Sequence, residues 1–147
     1  MAAPLPDFLG LGTQKGGTTT LHRLLGEHPN IYLPACKEVH FFDQNYGAGE
    51  GWYREHFQGA QPSQRCGDIT PFYLFHPDVP RRIHQQLPKA RLIVLLRDPV
   101  ERAISQVFHA QRLGFEPLPV DEALAAEQGR LATGDPYSFQ KHSYLSR

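Results

Sequence analysis

Leu92-Ile93-Val94-Leu95-Leu96 is an unbroken apolar run closed at both ends by arginine, Arg91 and Arg97. A run this short is a strand length, and a strand apolar at every position needs cover on both faces, the situation of a parallel sheet flanked by helices. A helix start follows at once. Asp98 can cap it, Pro99 suits the first helical position, and Glu101 completes a capping-box pattern. Ala103, Ile104, Val107 and Phe108 then continue as an apolar helix face. The expectation is a central parallel strand, buried on both faces, leading directly into a helix.

The remaining chain repeats that alternation. Phe8 to Gly12 reads as a short buried strand, Thr13 to Thr18 as a glycine-rich turn, and Leu21, Leu24 and Leu25 as a helix face ended by Pro29. Ile31 to Leu33 is a second strand, Pro34 to Gly51 a polar and aromatic loop, and Trp52 to Phe57 a short helix. Arg65 to Ile69 is a further strand running into Thr70-Pro71. Pro77 to Leu87 is a helix with Val79, Ile83 and Leu87 on one face, and Val120 to Leu131 one more helix. Alternating strands and helices specify an α/β fold with a parallel sheet, and such sheets bind ligands at the carboxyl ends of their strands.

Composition narrows the partners. The chain has 147 residues, 40% of them hydrophobic, enough for one domain with one core. Lys+Arg and Asp+Glu are both 15, so no overall basic field draws the chain to nucleic acid or to an anionic membrane, and anion binding must come from local constellations. Cys36 and Cys66 do not make a disulfide framework and are expected to be reduced, packed thiols. The amino-terminal MAAPLPDFLGLG has neither a basic region nor a long apolar stretch, and no run approaches membrane-spanning length, so a cytoplasmic protein without a membrane segment is expected. Oligomeric state is not encoded in any feature of the chain.

Two constellations fall at the ligand-binding edge of the expected sheet. Gly12-Thr13-Gln14-Lys15-Gly16-Gly17-Thr18-Thr19-Thr20 joins a strand to a helix. Its glycines let several backbone N–H groups converge, the helix N-terminus adds partial positive charge, and Lys15 adds a full one, which suits a nucleotide 5′-phosphate. A plain glycine-rich turn is the competing reading. It is not a Walker A loop, because Thr18 stands where that motif has lysine and the lysine has moved to Lys15. Arg97 at the end of the apolar strand and Ser105 about two turns into the next helix form a second anion point, with pairing of Arg97 to Asp98 or Glu101 as the alternative.

Lys37-Glu38-Val39-His40-Phe41-Phe42-Asp43 gathers acid-base groups in one loop. Glu38 is the candidate general base, His40 a helper or a polarising group, and Asp43 an orienting partner for His40 or a hydrogen-bond acceptor for a sugar hydroxyl. Phe41 and Phe42 are pocket walls or core. His40 and His56 share no close ligand spacing and there is no CxxC pair, so no metal is expected.

Four segments, TQKGGTTTL, KEVHFFDQNYGAGEGWYREHF, GDITPFYL and LIVLLRDPVERAISQVFH, occur in an order and spacing similar to the sulfotransferases that use PAPS (3′-phosphoadenosine 5′-phosphosulfate). The resemblance is to the heparan sulfate N- and 3-O-sulfotransferase branch and its bacterial relatives, and it extends from about Phe8 to Leu145. It implies a P-loop NTPase-like fold and direct in-line transfer of a sulfonyl group to a hydroxyl or amine, without metal. The acceptor it implies is a carbohydrate, a glycoconjugate or another small molecule. It also implies that Lys15 stabilises charge on the leaving phosphate oxygen, that Gly16, Gly17, Thr18, Thr19 and Thr20 hold the 5′-phosphosulfate, and that Arg97 and Ser105 hold the 3′-phosphate. Glu38 becomes the base, with His40 and Asp43 beside it. Two departures from the family pattern stand out. Ile69 occupies the place before Thr-Pro where the 3-O branch commonly has lysine. Family members also continue for roughly another hundred residues, so residues 1–147 are expected to be a single sulfotransferase domain truncated at its C-terminus. The competing functions are a non-catalytic nucleotide- or glycan-binding module of the same fold and, further off, a P-loop kinase or nucleotidase.

Overall fold

The computed structural model describes residues 3–132. Four strands among them, β1 (Phe8–Gly12), β2 (Ile31–Tyr32), β3 (Arg65–Ile69) and β4 (Arg91–Leu95), form one sheet in the order β2-β3-β1-β4. Every pairing is parallel, with Phe8 opposite Gly67 on one side and Arg91 on the other, and Gly12 opposite Leu95. The connections carry α1 (Thr18–Gly26), α2 (Gly49–Glu55) and α3 (Val79–Gln86); α4 (Pro99–Arg112), α5 (Val120–Ala125) and α6 (Glu127–Ala132) follow β4. This is an α/β fold with a parallel sheet flanked by helices, as the alternation of elements requires.

The doubly covered strand is β1, buried at all five positions, and not β4. β4 lies at the edge of the sheet among the described residues, with Leu92 54% and Val94 46% exposed. An apolar run reports that both faces of a strand are hydrophobic; it does not report strand order, which the crossovers decide. β1 escaped notice as the centre because two of its five residues are glycine.

Three further expectations are corrected. α2 begins at Gly49, after a 3₁₀ turn at Tyr46–Ala48, so part of the expected loop is helical. The segment 120–131 is two helices meeting at Ala126, and the bend places buried Glu127 where its charge acts on buried Arg102 of α4. The inner face of α4 is Arg102, Ala103, Gln106, Val107 and Ala110, whereas Phe108 is 58% exposed. Apolar periodicity found Ala103 and Val107 but carried the face round to Phe108, because this helix turns two polar residues inward. Cys66 is packed in the core and burial pushes its thiol up to about 11, but Cys36 is exposed.

One aromatic cluster holds the site in place. Phe41 stacks on Tyr53 at 4.2 Å between ring centroids, and Phe42 meets Tyr53 and Tyr73 edge-on, each at 5.5 Å. All four rings are essentially buried, so Phe41 and Phe42 are core rather than pocket walls. Burying a phenylalanine contributes about 2–3 kcal/mol, and this pair anchors the loop that carries Glu38, His40 and Asp43.

Candidate active site

The turn from β1 into α1 is built by close approach and unusual dihedrals. Thr13 N–H bonds to the Leu95 carbonyl at 3.1 Å, tying the turn to the end of β4, and Gly16 N–H bonds to the Thr13 carbonyl at 3.0 Å. A side chain on Gly16 would come within 2.8 Å of Thr13 Oγ1, and Gly17, the N-cap of α1, has φ 101°. Neither position accommodates another residue without strain. No side chain caps α1, so the first-turn N–H groups at Thr18, Thr19 and Thr20 face outward at the positive end of the helix dipole. Thr18 is buried, while Thr19 and Thr20 are exposed. Lys15 has φ 64° and no carboxylate partner within 4.0 Å among the described residues.

Arg97, just past β4, donates to the Lys15 carbonyl at 3.2 Å and to Glu101 at 3.4 Å. It therefore sits against the turn while also making the pairing that was its alternative reading. Asp98 caps α4 by accepting from Val100 N–H at 3.0 Å and Glu101 N–H at 2.9 Å. Ser105 is half-buried one helical turn before His109; it is His109 and Gln106 of α4, not Ser105, that line the space beside the turn.

Glu38, His40 and Asp43 are assembled into one hydrogen-bonded row. His40 Nδ1 lies 2.7 Å from Asp43 Oδ2 and His40 Nε2 lies 3.5 Å from Glu38 Oε2, while Lys37 pairs with the other Glu38 oxygen. Burial opposes charge on His40, but Asp43 and Glu38 outweigh it and raise its pKa to about 9. Burial likewise opposes charge on Glu38; His40 and Lys37 outweigh it and hold the carboxyl below its ordinary value. At neutral pH His40 is thus a cation between two carboxylates and not a vacant proton acceptor. Glu38 has φ 65° and His40 φ 55°. With Lys15 these are the described non-glycine residues at positive φ, an arrangement costing about 1–3 kcal/mol per residue that persists only where the surroundings enforce it.

The turn and the Glu38 end of the row face each other across a cleft of about 380 Å³ lined by Lys15, Thr18, Thr19, Lys37, Glu38 and His109; His40 and Asp43 stand behind Glu38, outside its lining. Two loops far apart in sequence, both predicted to carry chemistry, meet at the carboxyl ends of β1 and β4.

The family model described as "Sulfotransferase domain" matches residues 5–141. This chain belongs to the sulfotransferase family. Among curated relatives, the membrane-associated sulfotransferase kil1 of Dictyostelium discoideum is 42% identical over 105 residues, 69% of this chain and 22% of that protein. Human heparan sulfate glucosamine 3-O-sulfotransferase 6 is 41% identical over 125 residues, 84% of this chain and 36% of the relative. A crystal structure of a sulfotransferase from Alicyclobacillus acidocaldarius superposes with a TM-score of 0.84 at 31% identity, covering 98% of this chain and 66% of that one. The chain therefore spans about a third or less of these curated relatives and about two thirds of the bacterial structure.

Several residues of this sulfotransferase domain were not found by reading its sequence. Gln14, Gln106 and His109 line the cleft, and the Oε1 atoms of both glutamines are buried with no hydrogen-bond partner among the described residues. His109 is held below its ordinary pKa by burial, then by the charges of Lys15 and Arg112, so a neutral imidazole faces Glu38. The available signal was helical spacing: His109 is one turn beyond Ser105. Tyr53, Asp68, Thr70 and Tyr73 form a buried polar group behind the row. Tyr53 and Phe72 are buried, which makes them core, while Trp52 is half-buried against the same cluster.

Proposed function

We propose that the sulfotransferase to which this chain belongs moves a sulfonyl group from PAPS to a hydroxyl or amine of a carbohydrate acceptor. The observation that carries the reading is the meeting of Lys15 and Glu38 on one cleft, an unpaired cation opposite an ionised carboxylate. The residues suit an anionic donor: the first turn of α1 is uncapped, Thr13 Oγ1 is buried without a partner, and the Lys15 charge is uncompensated by a carboxylate among the described residues. Gly16, Gly17, Thr18, Thr19 and Thr20 would hold the 5′-phosphosulfate, and Arg97 and Ser105 the 3′-phosphate. PAPS, when bound, supplies an activated sulfonyl group and departs as PAP.

In this reading Lys15 stabilises the charge that develops on the leaving phosphate oxygen. Glu38 accepts the proton that the acceptor hydroxyl or amine loses as its lone pair attacks sulfur. The Glu38 carboxylate is ionised at neutral pH, so it is available without a prior proton loss. His40 holds it in place from one side, and Asp43 fixes the imidazole from the other. The carbohydrate acceptor is supported by the printed names of relatives such as heparan sulfate glucosamine 3-O-sulfotransferase 6. Ile69 stands before Thr70-Pro71 where a lysine would add a positive charge, and its side chain is buried against Gly10, which favours an acceptor less anionic than one that would pair with such a lysine.

The test is thermal stabilisation of the chain by PAP against Mg-ATP, with Lys15→Ala as control. A ligand held only by the native state raises Tm by mass action, by about 2.7 kcal/mol of stability at a hundredfold excess over Kd. Stabilisation by PAP alone, reduced in Lys15→Ala, is expected. A shift with Mg-ATP and none with PAP would overturn the sulfotransferase chemistry in favour of a kinase-type site.

A further inference from the structure

Three hydroxyls converge on Asp68 at the end of β3. Tyr53 Oη and Tyr73 Oη each donate to Oδ2 at 2.8 Å, and Thr70 Oγ1 donates to Oδ1 at 2.8 Å. Asp68, Thr70, Tyr53 and Tyr73 are all almost completely removed from solvent. Burial pushes the Asp68 carboxyl above its ordinary value, while the three O–H donors act the other way and favour the ionised form. A buried charge held this way is stable only while its donors stay in place.

The two tyrosines then differ. Tyr73 Oη also accepts from the backbone N–H of Phe41 at 2.8 Å and, more weakly, from that of Phe42 at 3.4 Å. The Tyr53 hydroxyl donates to the same Asp68 oxygen, while its ring packs on Phe41. The amides that Tyr73 grips directly follow His40, one of the two loop residues held at positive φ, and Glu38 is the other. Left-handed backbone at two non-glycine residues needs an outside hold, and the chain of bonds from Asp68 through Tyr73 Oη to Phe41 N–H supplies one.

We propose that Tyr73, braced by Asp68, is a positioning residue for the Glu38–His40–Asp43 row: its hydroxyl fixes the loop backbone that aims Glu38 into the cleft. The inference rests on the sulfotransferase reading for the role of Glu38. The charged groups around His40 are Glu38 and Asp43 from its own loop, Lys37 across Glu38, and Asp68 from β3, whose charge couples to that of His40. Loss of the Tyr73 hydroxyl therefore alters both the backbone and the surroundings of His40.

The experiment compares Tyr73→Phe with Tyr53→Phe in the full chain. Each removes one hydroxyl donor from Asp68 Oδ2, but only the first frees the Phe41 amide. Both are expected to lower Tm. Tyr73→Phe is expected to cut kcat about 10- to 100-fold, the scale of a small misplacement of a reacting group. It should leave PAP affinity within about twofold of wild type, since the α1 turn is untouched. The NMR titration of the His40 imidazole should move in Tyr73→Phe and stay near wild type in Tyr53→Phe. Equal effects of the two variants on kcat and on the His40 titration would overturn the proposal, as would an unchanged titration in folded Tyr73→Phe. Should Tyr73→Phe not fold, hydrogen exchange of the Phe41 amide in wild type decides: protection like that of β1 supports the hold, and rapid exchange removes it. If PAP fails to stabilise wild type, the sulfotransferase reading fails while the His40 titration still judges the positioning role.

Discussion

At the scale of single residues, the site is a set of charges placed by strained backbone. Lys15, Glu38 and His40 all lie at positive φ, and Glu38 and His40 are both charged at neutral pH. Glu38→Gln keeps shape and removes the proposed proton acceptor; kcat is expected to fall about 100- to 10,000-fold with PAP binding retained, measured by steady-state kinetics and thermal shift. His40 gives a pH signature. Its folded pKa, about 9, is above its ordinary 6.5, so the stability it contributes is complete below that ordinary value and is lost as pH rises through about 9. The contribution is up to about 3 kcal/mol. Tm of wild type is expected to decline across that window, and His40→Gln to flatten the decline. The residue types of the row were legible in KEVHFFD, but its order was not. That His40 bridges Glu38 and Asp43 as a cation depends on burial and on two distances, neither of which a spacing in sequence supplies.

At the scale of elements, α4 shows what local chemistry announces and what it hides. Asp98, Pro99 and Glu101 announced the helix start, and Asp98 caps it with two hydrogen bonds. Removing that cap in Asp98→Ala is expected to cost about 1 kcal/mol, read as a Tm drop of about 4 °C. The variant also loosens the segment that carries Arg97 to the Lys15 carbonyl, so its PAP affinity should fall too. What α4 hides is its inner face. Arg102 and Gln106 point inward because α6 brings Glu127 to the former and the cleft receives the latter. Both are tertiary circumstances. The aromatic pair Phe41 and Phe42 was ambiguous for the same reason, since a buried ring and a pocket wall look alike until the opposing surface is known.

At the scale of the whole molecule, β4 leaves an apolar edge among the described residues. Leu92, Val94 and Leu96 alternate on one face and are 54%, 46% and 72% exposed. Exposed apolar edges promote association. Val94→Lys is expected to raise the soluble fraction and reduce dye binding to apolar surface, measured by light scattering and fluorescence, without changing PAP stabilisation.

The α/β alternation, the glycine-rich turn with its displaced lysine, and the loop that carries acid-base groups are all legible in the chain before it folds. Each is a short-range property: hydrophobic period, turn chemistry and residue type act over a few neighbours. That β1 is the buried centre and β4 the edge among the described residues, and that Lys15 and Glu38 share one cleft, follow from long-range packing. The same packing sets Asp68 and Tyr73 behind the row. Those facts depend on which strands the crossovers set side by side and on buried Asp68 drawing Tyr53 of α2 to the same carboxylate as its near neighbours Thr70 and Tyr73. Long-range pairing of that kind leaves no periodic trace in the chain.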